Sequence, residues 1–357
     1  MIGPGASKIA SGGIVTVIDN LIENFDKDIN IKYIVTMRPT STLKRIGLYF
    51  HALFSIIINL MNRDQKIAHI HMSSRTSFYR KSTIIMLLKF FRIPIIIHLH
   101  SGEFDIFYSE ELNSRMKRYV KWIYSLADKT ILLTDGWQKW FKNTINTNES
   151  MVLYNGVKSY YDIDSLPVNN RENIILFLGR LNKKKGIYDL LYSFQEVIVN
   201  VPDATLKICG DGEIEECKQL ANQLNIANNV HFLGWVDEEE KFQLLNQAKI
   251  YILPSYFEGL PMGMLEAMSA GIGIIATNVG GVPEAVKHEE SALLIDAGSQ
   301  EKISESIVFL LQNSDKVKEL GENARDVFLK KFDIKNIVQE LKKIYLKLLE
   351  SMERNNQ

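Results

Sequence analysis

Two glutamates eight positions apart, Glu258 and Glu266, bracket the run Gly259-Leu260-Pro261-Met262. Pro261 suits the first turn of a helix, and the N–H groups exposed around Gly259 to Met262 suit a phosphate or sugar oxygen. Two carboxylates at a helix start can each accept from vicinal hydroxyls, one set on a ribose and one on a hexose. The plainer alternative is a pair of acids stabilising a helix dipole. Upstream, Gly179-Arg180-Leu181-Asn182-Lys183-Lys184-Lys185-Gly186 sets Arg180 at a strand end and Lys185 at a helix start. Two such cations can converge on one anionic group, and a diphosphate fits; a solvated basic loop is the alternative.

Glycines at positions 3, 5, 12 and 13 precede the helical stretch Ile14 to Phe25, an arrangement that lets backbone N–H groups approach a phosphate. The dinucleotide fingerprint G-x-G-x-x-G is broken by Lys8, and no P-loop G-K-[ST] occurs. Two histidine pairs, His69 with His71 and His98 with His100, sit in β-branched runs whose alternation puts each pair on one side of a strand. Neither pair is accompanied by a Cys or carboxylate arranged as a zinc motif, so no metal ligand is expected.

These residues need strands and helices to hold them. The 357 residues exceed what one hydrophobic core usually organises, so two domains are expected. Short β-branched runs alternate with amphipathic stretches throughout, the pattern of βαβ units and parallel sheets. The first half offers strands at Ile31 to Met37, Ile67 to Met72, Ile93 to Leu99, Thr130 to Thr134 and Met151 to Tyr154, with helices at Thr76 to Phe91, Ser109 to Leu126 and Trp137 to Thr144. The polar, aperiodic Lys158 to Asn173 reads as a linker. A second series follows at Ile174 to Leu178, Thr205 to Cys209, Val230 to Leu233, Ile250 to Leu253, Gly273 to Thr277 and Ala292 to Ile295. The tail carries Ile337, Leu341, Ile344, Leu348 and Leu349 at helical spacing. In open α/β sheets ligands bind beyond the carboxyl ends of the strands, which is where the residues above fall.

Composition narrows the field. Hydrophobic residues make up 46% and charged residues 24%, which excludes a disordered chain. Two cysteines, Cys209 and Cys217, supply neither a disulfide framework nor a zinc quartet, and a cytoplasmic setting is expected. No secretory signal is read at the N-terminus. The longest apolar stretches, Ile46 to Met61 and Ile84 to Leu99, are broken by polar residues such as His51, Asn59 and Lys89, so no membrane span is expected. Residues 1–160 hold 21 Lys and Arg against 12 Asp and Glu, and residues 161–357 hold 21 against 30. A basic first half suits an anionic partner, such as a phosphorylated substrate or an acidic membrane surface.

Gly12-Gly13, the G-R-x5-G of Gly179 to Gly186, the E-x7-E of Glu258 to Glu266 and the trailing Gly280-Gly281-Val282-Pro283-Glu284 together resemble glycosyltransferase family 4, of the GT-B fold. The resemblance runs through essentially the whole chain. It implies two Rossmann-like doubly wound domains facing across a cleft: residues 1–160 with a returning C-terminal helix 334–357, and residues 161–333. It implies a retaining, metal-independent transferase that moves a sugar from a nucleotide diphosphate sugar to an acceptor, with no cofactor. Arg180 and Lys185 would neutralise the diphosphate leaving group, with Gly12 and Gly13 adding N–H groups. Glu266 would bind the ribose, and Glu258 with Gly259, Leu260, Pro261 and Met262 would bind the sugar. Gly210 and Val236 would flank the base and ribose, and His100 would meet the donor sugar near its reacting carbon. The family normally begins with a full strand, whereas here only Met1 and Ile2 precede Gly3, so that strand is expected to be nearly absent.

UDP-linked hexose or N-acetylhexosamine is the favoured donor, with GDP-mannose next; the acceptor is expected to be lipid-linked or saccharide, as in surface-polysaccharide synthesis, and no nucleic acid is expected. The basic and aromatic segments Arg75 to Lys81 and Arg115 to Trp122 suit anionic lipid headgroups at a membrane surface. A nucleotide-sugar epimerase or hydrolase of the same fold, and a non-catalytic nucleotide-sugar-binding protein, are the alternatives.

Overall fold

The computed structural model describes every residue except 6–12, 27, 62–65, 148, 163, 165, 166, 356 and 357. It divides into two compact units, Met1–Gly156 with Ile334–Gln357, and Val157–Asp333.

The first unit is built on a parallel sheet of β1 (Ile2–Pro4), β2 (Ile34–Met37), β3 (Ala68–Met72), β4 (Ile95–Leu99), β5 (Lys129–Leu132) and β6 (Ser150–Val152), in the order β2-β1-β3-β4-β5-β6. Short as it is, β1 is central and pairs with both β2 and β3. Three residues therefore suffice for a strand that the sequence had suggested was nearly lost. Ile70, Met72, Ile95, Ile97 and Leu99 enter the unit's core with Phe78, Val120, Tyr124 and Phe141. All five residues of β3 and of β4 are buried, as expected of strands covered on both faces.

Helix Ile334–Asn355 belongs to this unit. Ile337, Leu341, Ile344 and Leu348 of its apolar stripe are buried, Phe25 stacks on Tyr345 at 5.6 Å, and Lys342 Nζ reaches Asp26 Oδ2 at 2.5 Å. The first unit ends at Gly156, whose carbonyl accepts from Asn20 Nδ2 at 3.1 Å. Lys158 to Asn173 is not a free linker over its described residues. Arg171 donates to the Leu245 and Ala248 carbonyls, Asn246 Nδ2 donates to the Tyr160 carbonyl at 2.8 Å, and Tyr160 N donates to Ser269 Oγ. Its polar residues serve the second unit's main chain, which aperiodic sequence does not reveal.

Two further expectations change. The helix over Ser109 to Leu126 is interrupted: a π-helical turn, Phe107–Glu111, precedes helix Ser114–Ser125, which restarts where Asn113 Oδ1 accepts from the Arg115 and Met116 N–H groups. Thr42–Met61 is one helix, long and apolar enough to cross a membrane by length and composition, and Leu43, Phe50, Phe54 and Met61 on it are exposed.

The second unit's sheet comprises β7 (Ile174–Leu178), β8 (Thr205–Cys209), β9 (Val230–Gly234), β10 (Ile250–Leu253), β11 (Gly273–Thr277) and β12 (Leu293–Ile295), ordered β12-β11-β10-β7-β8-β9 and parallel throughout. Strand order reverses between β10 and β7, the place where open sheets part their loops to admit a ligand. Fully buried Leu341 anchors the last helix, so Leu341→Ala is expected to lower stability by about 2–5 kcal/mol in urea denaturation.

Candidate functional site

The loops leaving β7 and β10 carry the residues expected to do chemistry. Asn182 Oδ1 accepts from the Lys185 N–H at 3.0 Å, capping a single 3-10 turn, Lys183–Lys185, that presents the Lys185 side chain. Its ammonium meets the buried Glu258 carboxylate at 2.5 Å. Gly186 follows with φ 67°, and a Cβ there would lie 2.0 Å from the Pro254 carbonyl oxygen. The Tyr256 N–H donates to the Lys184 carbonyl at 2.8 Å. Main chain thus lies on main chain, and only glycine fits between.

A second close approach holds Glu258 from the other side. Gly280 has φ 55°, a Cβ on it would lie 1.8 Å from the Glu258 carbonyl oxygen, and the next residue's N–H, that of Gly281, donates to the Gly259 carbonyl at 2.8 Å. The trailing Gly280-Gly281 pair therefore shapes the loop that carries Glu258. Helix Met262–Ala270 then begins with Pro261 as its N-cap, with buried Leu260 before it. No side chain caps its first turn, so the N–H groups there are available to an anion.

Glu266 is buried one turn inside that helix and does not stand alone. Lys241 Nζ donates to Glu266 Oε1 at 2.9 Å and to Glu238 Oε1 at 2.8 Å, and Tyr160 Oη donates to Glu238 Oε2 at 2.6 Å. Burial lifts the Glu266 carboxyl above the usual carboxylate range, with Lys241 opposing the rise. Burial also works to depress Lys241, but Glu266, Tyr160 and Glu238 outweigh it and hold the ammonium above its ordinary value. Sequence reasoning missed Lys241 and Tyr160. Lys241 sits in an ordinary charged helix, Glu238–Gln247, and Tyr160 in the presumed linker, so neither had a local signal.

The two basic residues of the first loop turn to different acids. Arg180 is two-thirds exposed and its guanidinium lies 3.9 Å from Asp211 Oδ1, while Lys185 is committed to Glu258. Gly210 begins the turn after β8, and its N–H donates to the Gly234 carbonyl at 2.7 Å; Leu181 N–H donates to the Asp211 carbonyl at 2.7 Å. Val236 lies just past β9, partly exposed. In the first unit, Gly13 opens helix Gly13–Asn24 and Gly12 lies outside the described residues. His100 directly follows β4, and its Nε2 lies 2.9 Å from His71 Nδ1.

Of the two segments read as headgroup-binding, Arg75 to Lys81 has two of its three cations engaged within the unit. Arg75 pairs with Glu103 and Glu111, and Lys81 is buried with its ammonium on the His71 carbonyl. Along Arg115 to Trp122, Arg115, Arg118, Lys121 and Trp122 are exposed.

Comparison with known proteins adds a second line of evidence. Residues 162–327 match the model of the family described as glycosyl transferases group 1. The matched segment contains every second-unit residue discussed above except Tyr160. An N-acetyl-alpha-D-glucosaminyl L-malate synthase from Bacillus anthracis is 30% identical over 183 residues, 51% of this chain and 47% of that protein, so the alignment spans about half of that relative. A 2-deoxystreptamine N-acetyl-D-glucosaminyltransferase from Niallia circulans is 23% identical over 78% of this chain and 75% of its own length. Among solved structures, sucrose-phosphate synthase from Thermosynechococcus elongatus superposes with a TM-score of 0.76 at 18% identity over 98% of this chain and 99% of its own. Anabaena HepE, solved with UDP-glucose, gives 0.72 at 19% identity over 97% and 99%. The chain has the GT-B fold, with two Rossmann-like domains.

Tyr251 tests how the site is balanced. Its hydroxyl is buried without a partner among the described residues, near the first turn of helix Met262–Ala270. Burial raises its pKa, with the Glu258 and Glu266 charges adding to the effect. Tyr251→Phe removes an unpaired polar atom and is expected to leave stability unchanged or raise it by up to about 1 kcal/mol in urea denaturation. Gly280→Ala, which forces a side chain toward the Glu258 carbonyl from a left-handed backbone, should lower stability by roughly 1–3 kcal/mol in the same assay.

Proposed function

We propose that this chain is a retaining glycosyltransferase of family 4 that moves a sugar from a nucleotide diphosphate sugar to a lipid-linked or saccharide acceptor. The observation that carries the reading is the meeting of Lys185, Glu258 and an uncapped helix start at the reversal between β7 and β10. A cation, a carboxylate and free N–H groups together suit a sugar joined to a diphosphate, since each answers a different part of it. A GT-B neighbour solved with UDP-glucose and a relative named as an N-acetylglucosaminyltransferase support a UDP-sugar donor, hexose or N-acetylhexosamine first and GDP-mannose next.

In this account Lys185 and Arg180 draw the negative charge that develops on the leaving diphosphate. Glu258 accepts from sugar hydroxyls, together with the main chain of Gly259 to Met262. Glu266 accepts from the ribose hydroxyls, and the Lys241 ammonium paired with that buried carboxylate opposes the rise that burial causes. Gly210 and Val236 border the base. Cations and helix N–H groups supply the electrostatic stabilisation, so the transfer itself needs no metal or cofactor. Synthesis of a surface polysaccharide at the cytoplasmic face of a membrane suits the chain: the exposed apolar face of Thr42–Met61, with Lys44 and Arg45 at its start, has the composition of an interfacial helix.

The test is product formation from a panel of UDP, GDP and ADP sugars with candidate acceptors and EDTA present. One donor is expected to be turned over only with an acceptor, with EDTA without effect and Arg180→Ala and Glu258→Ala each lowering kcat/KM by about a hundredfold or more. Product from donor and water alone would favour the hydrolase or epimerase reading; binding without turnover would favour a carrier.

A further inference from the structure

Four histidines that the sequence separates into two pairs form one group in the fold. β3 and β4 are adjacent and in register, with His71 beside His98, so His69, His71, His98 and His100 share one face of the first sheet. That face is opposite the one where Ile70, Met72, Ile95, Ile97 and Leu99 enter the core. His69 and His71 are stacked with ring centroids 4.4 Å apart, and His98 lies 5.3 and 5.2 Å from them. One ring nitrogen from each of His69, His71 and His98 falls within 4.8 Å of the other two.

We propose that His69, His71 and His98 bind one divalent transition-metal ion of the zinc type. Three observations carry the inference. All three side chains are buried, and His71 Nε2 and His98 Nε2 have no hydrogen-bond partner among the described residues. Buried ring nitrogens without partners are costly unless something else satisfies them. Next, His69 Nε2 and His98 Nδ1 hydrogen-bond to each other at 3.2 Å, so the two rings already stand at about the 3.3 Å nitrogen spacing of one tetrahedral zinc, and an ion shared between them would replace that bond. Last, the outer nitrogens of two of the three are already held: Tyr345 Oη lies 2.6 Å from His69 Nδ1, and His100 Nε2 lies 2.9 Å from His71 Nδ1. Metal-binding imidazoles are commonly oriented by such a bond on the other ring nitrogen.

Three neutral imidazoles suit zinc, cobalt, nickel or copper and do not suit magnesium or calcium. Three protein ligands leave one tetrahedral position open to water. Histidines at alternate positions of two strands carry no signal in one dimension, because pairing of β3 with β4 is what joins them. Lys81 opposes the ion: its buried ammonium donates to the His71 carbonyl. The site lies within the first unit, and none of its three ligands, His69, His71 and His98, is assigned to the diphosphate or the sugar.

The full chain, stripped with a chelator, is titrated with Co2+ and then Zn2+. One equivalent of Co2+ with the visible bands of a tetrahedral, nitrogen-rich site is expected, displaced by Zn2+. His71→Asn and His98→Asn should each weaken binding at least tenfold, Lys81→Met should tighten it, and His288→Ala, at an exposed position, should leave it unchanged. X-ray absorption at the zinc edge of the wild-type protein should count three imidazoles, and this needs no variant to fold. An oxygen-dominated shell, no ion retained through gel filtration, or bands that survive in folded His71→Asn would overturn the proposal. Metal content and spectra are read without turnover, so the outcome is separate from that of the transferase assay.

Discussion

Main-chain contact between three loops is the constraint on which the second unit's site depends. The loop after β7 touches the loop after β10 at Gly186 and the Pro254 carbonyl, and the loop after β11 touches it again at Gly280 and the Glu258 carbonyl. Side chains of any size at these two positions would hold the loops apart. With glycine there, the Lys185 ammonium and the Glu258 carboxylate come within 2.5 Å, and the helix beginning at Met262 starts beside them. The arrangement is rigid where chemistry needs it, because each loop is also tied to its neighbour by backbone hydrogen bonds from Tyr256 and Gly281.

Charge burial is the second organising principle. Burial disfavours the charged form of Glu266, and Lys241 opposes that from the neighbouring helix with an ammonium 2.9 Å from its carboxylate. Lys241 in turn lies 5.1 Å from the centre of the Tyr160 ring, and that tyrosine's hydroxyl bonds Glu238. Three residues from two other parts of the chain, Lys241 and Glu238 of one helix and Tyr160, thus surround the Glu266 carboxylate. Without Lys241, burial would act on that acid unopposed and favour its protonated form.

Much of the second sheet was legible in sequence. The runs at Ile174–Leu178, Thr205–Cys209, Ile250–Leu253 and Gly273–Thr277 form strands with the boundaries their apolar, β-branched composition implies. Glu258, Lys185 and the Gly-Leu-Pro turn were legible for a related reason: each lies directly after a strand or at a helix start, where local spacing reports position. Contacts made by folding were not. Tyr160 and Arg171 looked like linker residues until the second unit's carbonyls and side chains met them. The histidine group needed β3 and β4 to pair, and β1 needed two partner strands to make three residues into a strand. The burial of Lys81 against the His71 carbonyl was likewise not legible, because composition does not say whether a cation faces solvent or an internal carbonyl.

The central claim is that Lys185 answers the diphosphate and Glu258 the sugar. Calorimetric titration of UDP and UDP-glucose into wild type, Lys185→Met and Glu258→Gln separates these roles directly. The account predicts that Lys185→Met weakens both ligands, whereas Glu258→Gln weakens UDP-glucose and leaves UDP nearly unchanged. Equal losses for both ligands in Glu258→Gln, or no change in Lys185→Met, would contradict it.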